Sequence, residues 1–546
     1  MRPDITSSKL LDSTELSGPL RSSLDVDDAR SFRVKRALAA TGVTQAFNIV
    51  AMILGLVSVP LYLDWLGEER YGLLLTGLAY GGFLMFADAG LSWSSMLLIS
   101  QAKGRNNDDE IACIVRASIV LAATSSTVVF LVVSGFYLLL EADQTFALFP
   151  SHPEFPGLFL AVGMSTVASL GFSAFYNVFI GFQEGHIAAF YQGCGRLSAI
   201  CASLIAAASG ASLGIVLGSN VACVVAMGFV AAFHCVARNP NAFSSGDWWQ
   251  PVQFRNQFRT GVKSFMMQFG NVLVGSAPII TISRIAGTAL VPTFTIPLTL
   301  INTPLSLIQS LHANLQAAYG EAIGANDHAW IASTVSKMLR QTLILICFLI
   351  AGFLTVSRPF IELWTGGRMI IGEAMQWSVA GVAACLAINS IFRFALSGMN
   401  RHRLTGITEI AFGVLSIVLG SLVASNLGIG TIGVGIVTAY ISTCGWILPR
   451  QLSRQLGHAI LLPSAAFIIK LVGITVASLF VGKVVGRFVA GNVSLYSMAF
   501  EILIAGVVVV VTFISFLRLF LNSDFRIMLD QVKDLLAKCK RLGRAR

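Results

Sequence analysis

Asn48-Ile-Val-Ala-Met-Ile-Leu-Gly-Leu-Val-Ser-Val-Pro60-Leu-Tyr-Leu-Asp-Trp-Leu-Gly67-Glu-Glu-Arg70-Tyr71-Gly72-Leu73 is the stretch on which the fold turns. After Arg36 no charged residue occurs until Asp64, and after Arg70 the sequence becomes apolar again. A helix needs about 20 apolar residues to cross roughly 30 Å of hydrocarbon. The run therefore reads as a membrane-crossing helix, a tight link at a glycine, and the start of the next crossing.

The same reading extends over the whole chain. Of 546 residues, 55% are apolar and only 12% are charged, against about 25% charged in a soluble domain. A water-soluble protein of this size lacks the polar surface to cover such a sequence. Soluble enzymes, secreted disulfide scaffolds, coiled coils and disordered chains are excluded. The expected class is an all-α polytopic membrane protein. Fourteen spans are expected at 40–63, 71–99, 111–139, 157–182, 187–209, 212–236, 261–284, 291–318, 338–362, 371–398, 404–426, 430–449, 462–483 and 496–519. The nine cysteines include no CxxC pair and read as small hydrophobes in helix packing.

The net charge of +10 is concentrated at the two ends and in alternate loops. Lys103, Arg105, Arg238, Arg255, Arg259, Lys337, Arg401, Arg403, Arg450 and Arg454 fall on the side of both basic termini. The opposite loops hold only Arg70, Arg284, Arg358, Arg368, Lys483 and Arg487. Cytoplasmic loops carry the excess of Lys and Arg, so both termini are expected in the cytoplasm. Residues 1–36 read as a disordered cytoplasmic tail and 520–546 as a basic one. The link at 237–260, with Trp248 and Trp249 among basic residues, reads as an interfacial segment. No loop is long enough to fold as a catalytic domain, so function must reside among the helices.

Phe47-Asn48 through Gly67 to Tyr71 is echoed by Phe269-Gly270-Asn271 through Gly287 to Val291. Both are helices with an Asn one turn in, ending at a glycine. The interval corresponds to six crossings, and an even-numbered unit repeats in the same orientation. Two pseudo-symmetric six-helix lobes at 40–236 and 261–450 are expected around a cavity. Two extra helices at 462–519 follow.

The 48–73 stretch resembles the opening of the polysaccharide flippases of the Wzx O-antigen type. These belong to the multidrug, oligosaccharidyl-lipid and polysaccharide exporter superfamily. Asp88-Ala-Gly-Leu, Gln101-Ala-Lys-Gly-Arg105, Pro359-Phe-Ile-Glu-Leu-Trp364, Asn400-Arg-His-Arg-Leu and Asn426-Leu-Gly-Ile-Gly are similar to later family segments, in consistent order. Val291-Pro292 departs from the family, which commonly has a Tyr there. The resemblance implies a bacterial inner-membrane flippase moving polyprenyl-diphosphate-linked oligosaccharide outward for surface polysaccharide synthesis. The sequence itself shows no nucleotide-binding loop and no metal site, so neither an enzymatic step nor a cofactor is expected. The expected partners are that glycolipid, membrane lipids and polysaccharide polymerase machinery, with no nucleic acid and a monomeric protein.

A diphosphate in hydrocarbon requires fixed positive charge, and the Arg fork binds phosphate at two points. Arg196, Arg116 and Arg393 lie within the fifth, third and tenth spans. Arg196 is the deepest; Arg116 and Arg393 are near enough to span ends to snorkel instead. Asn302 and Asn271 either line a sugar path or, like Asn177, Gln268 and Asn389, bond a neighbouring helix. Asp88, Asn48 and Glu409 are candidates for gating or proton coupling, or for helix packing. Lys470 reads as an anchor. An ion-coupled drug exporter of the same superfamily would favour deep carboxylates over a deep Arg. A glycan polymerase or ligase would need a catalytic outer loop, and 141–156 has no base or nucleophile constellation beyond His152.

Overall fold

The computed structural model describes residues 19–84, 90–104, 107–142, 152–182, 184–243, 246–248, 251–324, 327–399, 402–458, 460, 462–489, 495–522 and 526. The helices are α1 Pro19–Leu84, α2 Leu91–Gly104, α3 Asp108–Ala142, α4 Phe155–Gly181, α5 Gly185–Ala208, α6 Leu213–Arg238, α7 Pro251–Ala286 and α8 Val291–Gly324. They continue as α9 His328–Trp364, α10 Glu373–Gly398, α11 His402–Leu427, α12 Ile432–Ser442, α13 Cys444–Leu456, α14 Ala465–Val489 and α15 Leu495–Phe520.

The described residues of each of the fourteen expected segments are largely helical, with the one at 430–449 divided at Thr443 between α12 and α13. Among the described residues, eleven helices are long and apolar enough to cross a membrane by length and composition. The difference has three sources. Helix α1 runs through Gly67 and counts once, although the backbone breaks there; α5 is less apolar, and only Val272–Ala286 of α7 reads as an apolar helix.

Two described helices reach into stretches read otherwise from the sequence. Residues 19–36 of the expected tail are helical as part of α1, and residues 251–260 of the expected link are helical as part of α7.

Several helix ends and interiors satisfy polar groups locally, as hydrocarbon favours. Asp327 caps α9 by accepting from the Trp330 N–H at 3.0 Å, and Asn107 accepts from the Glu110 N–H at 3.1 Å. Asp108, Asp109 and Glu110 place negative charge at the positive end of α3. Inside the helices, Thr76, Ser118, Thr166 and Thr295 donate back to carbonyls four residues earlier.

The packing repeats. The first arm of α1 lies on α5, α4 touches α3 and the second arm of α1, and α6 covers α4 and α5. In the second half α7 lies on α11, α10 touches α8 and α9, and α12 covers α10 and α11. Gly67 and Gly287, at matching places in the two halves, share one unusual backbone conformation, φ 76°, ψ 173° and φ 88°, ψ 161°. This region is essentially reserved for glycine. Helices α14 and α15 lie outside both lobes and pack on α9 through Phe467, Leu471, Phe513 and Leu517. Ile53, Leu131, Phe233, Ile469 and Leu503 are large apolar side chains on the outer surface, where lipid rather than water is the matching solvent.

Candidate transport site

The two lobes close on each other at the end that carries Arg70. Gly72 lies against the Thr288 carbonyl so tightly that a β-carbon there would clash. Trp364 Nε1 donates to the Leu56 carbonyl at 2.9 Å, and Arg368 pairs with Asp64. Tyr62 stacks on Tyr71 with centroids 5.7 Å apart, and its hydroxyl lies 2.6 Å from Ser203 Oγ. Three basic residues of this end, Arg368 among them, are matched by acids. Arg70 meets Glu154 at 2.9 Å and Lys483 meets Glu373 at 3.4 Å. Partial burial pushes the Glu154 carboxyl up. Hydrogen bonds from Arg70 and the Leu213 N–H, with the charges of Arg70 and His152, outweigh it and hold the group below the ordinary carboxylate value.

At the other end, α7 bridges the lobes. Gln257 is fully buried. Its Nε2 donates to the Ile114 carbonyl at 3.0 Å, and its Oε1 accepts from Ser95 at 3.2 Å and Ser118 at 3.4 Å. Gly90, at φ 72°, sits against the Gly261 carbonyl. Further along, Gly270 packs against Glu409, and Leu273 against Gly413 of α11. One helix thus touches both lobes through glycines and a buried amide. The sequence reading listed neither Gln257 nor the glycine pair. A polar amide near a short link carries no periodic signal of its own.

Of the arginine candidates, Arg116 is buried and turned toward the link between lobes. Its Nε donates to the Asp247 carbonyl at 3.2 Å. Arg393 lies over the Phe394 ring at 4.9 Å and exerts its charge on Glu409. Glu409 is 1% exposed and accepts from Asn389 Nδ2 at 2.9 Å. The structure therefore brings Arg393, Asn389 and Glu409 together in the second lobe. Nearby in the same lobe, the ring nitrogens of His312 meet Ser390 Oγ at 2.7 Å and Thr342 Oγ1 at 2.9 Å. Arg196 stands apart, exposed on α5 with no polar partner among the described residues. The three arginines have different surroundings: the link, the buried carboxylate, and an open helix face.

Asn48 is exposed on α1, and Asn302 is half-buried on α8. Asn271 belongs to α7, while its side chain and Asp88 lie outside what is described. Lys470 is exposed on α14. Two cavities open among these helices. One of about 190 Å³ in the first lobe is lined by Gly81, Ser165, Thr166, Ser169 and Asn220. The other, about 630 Å³, is a groove between α8, α9 and α15, with Ile301, Pro304, Phe353, Gly506 and Val510 in its walls and Ser357 its one polar side chain.

The fold has known counterparts. A structure described as lipid II flippase MurJ in an inward closed conformation superposes with a TM-score of 0.65 at 15% identity, covering 87% of this chain and 98% of that one. An inward-facing multidrug resistance MATE family transporter of the MOP superfamily gives 0.60 at 13% identity, with 76% and 98% covered. An outward-facing transporter of the same family gives 0.53 at 12% identity, with 77% and 96% covered. Among the curated proteins the sequence has no match. The model of a family described as polysaccharide biosynthesis protein matches residues 37–319, just over half of the sequence, and the chain belongs to that family.

Proposed function

We propose that this protein is a flippase for oligosaccharide carried on a polyprenyl diphosphate. It moves the glycolipid from the cytoplasmic to the outer leaflet of a bacterial inner membrane by rocking its two lobes. Both basic termini then lie in the cytoplasm, and the closed Arg70 end faces outward. The observation that carries this reading is the apolar groove of about 630 Å³. A lipid-linked sugar needs a berth for its hydrocarbon tail beside a polar path for its head, and a wall of Ile, Phe and Val supplies that berth. The hydroxyl- and amide-lined cavity of the first lobe suits sugar hydroxyls. Arg196, whose guanidinium is not committed to an internal partner, is the candidate for the diphosphate. Arg116 and Arg393 follow it, each already engaged. Asn302 and Asn271 are proposed to line the path, and Asn48, Asp88 and Glu409 to take part in gating. The protein acts as a monomer and hands its cargo to polymerase machinery.

Export of a small cationic compound is the second reading, favoured by the fold shared with MATE transporters. It leaves the groove without a purpose. The experiment is glycan surface display in a strain lacking the protein, with membrane abundance measured in parallel. Arg196→Ala removes a charge-assisted bidentate contact of roughly 1.5–3 kcal/mol and reduces display about tenfold to a hundredfold at normal abundance. Gly506→Phe fills the groove and also reduces display. Wild-type display by both variants would remove the support for this substrate.

A further inference from the structure

We propose that the pocket between the start of α9 and the start of α14 binds the phosphate of an anionic membrane phospholipid, with the acyl chains lying along α14. The pocket holds about 620 Å³ and is lined by Ser333, Ser336, Lys337, Arg340, His458 and Ser464, together with small apolar residues. It takes no part in the groove or the lobe interface described above.

Its charge is built from separate elements. Ser333, Ser336, Lys337 and Arg340 recur at helical spacing on α9 and so share one face. Arg340 is steadied with its Cζ 4.7 Å from the centroid of the Phe467 ring. Lys337 and His458 are exposed at the mouth. From the opposite wall α14 presents its N-terminus. Ser464 Oγ caps it by accepting from the Phe467 N–H at 3.2 Å, and the positive end of the helix dipole there favours an anion. Among the described residues no carboxylate lines the pocket. A guanidinium fork, an ammonium and a helix N-terminus converging on one cavity suit a phosphate better than a sugar or a cation.

The neighbouring surface identifies the source of that phosphate. One turn beyond Ser464, α14 exposes Ile468 and Ile469, then Val472 and Val476 on its outer surface. Leu462 continues this apolar surface at the mouth. A headgroup seated in the pocket would therefore run its chains down a matching hydrocarbon face. The site lies at the end that carries Lys103, Arg238, Arg450 and Arg454, where basic residues meet an anionic leaflet.

The test uses the full chain in detergent and measures anisotropy of a fluorescent phosphatidylglycerol. Unlabelled phosphatidylglycerol, phosphatidylcholine and inorganic phosphate serve as competitors. Phosphatidylglycerol should compete at a concentration about tenfold or more below phosphatidylcholine. Lys337→Gln with Arg340→Gln should abolish that preference, while Lys337→Arg keeps it. The wild-type competition is informative even if the double variant folds poorly. Equal competition by the two lipids, or an unchanged preference in the well-folded double variant, overturns the site. Displacement by inorganic phosphate at concentrations comparable to phosphatidylglycerol assigns the pocket to a free anion and overturns the lipid assignment.

Discussion

Gln257 shows how much one buried amide can hold. It ties α7 to the Ile114 carbonyl and to Ser95 and Ser118, so Gln257→Leu leaves buried polar groups unsatisfied. A loss of about 1–3 kcal/mol is expected, measured as a fall in thermal stability in detergent. Glu154 acts at the opposite end, joining Arg70 to the start of α6. Its folded pKa lies below the ordinary 4.5, so its contribution is present above that value and is lost as the pH falls through the folded pKa. The pair is partly exposed and amounts to no more than about 1 kcal/mol. Wild-type protein and Glu154→Gln should differ in melting temperature at neutral pH and converge in acid. Single residues were only partly legible in the sequence. Residue type and depth single out Arg196, Arg116 and Arg393, but only packing reveals that Arg116 is turned to Asp247 and Arg393 to Glu409. Burial of Gln257 depends on α2 and α3, far away in sequence, and hydropathy cannot register it.

Helices and their links were more legible, because a membrane imposes length and polarity on each segment. The glycine echo is the clearest case. Gly67 and Gly287 were paired by position in a faint repeat, and both carry the same backbone conformation. A β-carbon at Gly67 meets open space, so its requirement is conformational rather than steric. Gly67→Ala should therefore cost about 1–3 kcal/mol from backbone strain alone. Gly55→Ala, in the helical part of the same element and equally uncrowded, should be neutral or slightly stabilising. Thermal melts of the two variants check this, and equal melting temperatures would refute the strain argument. Polar helical stretches were less legible. Residues 19–36 and 251–260 are polar enough to read as tail or link, yet both are helical.

For the whole molecule, we propose that two like lobes, clasped at one end and bridged by α7, carry a lipid-linked sugar across the bilayer. The lobes meet through Gly72, Trp364 and the Arg368–Asp64 pair, contacts that rocking of the lobes under this proposal would separate. The groove beside α15 lies outside the repeated core, which is where a tail can stay in hydrocarbon while the head passes between lobes. The most direct measurement places purified protein in liposomes with a polyprenyl-diphosphate oligosaccharide and follows access of a non-permeant sugar-binding probe. Sugar initially shielded inside should become accessible outside only with the protein present, and more slowly with Arg196→Ala. Failure to move the glycolipid, by protein that drives efflux of a small cation under the same conditions, would contradict the proposal.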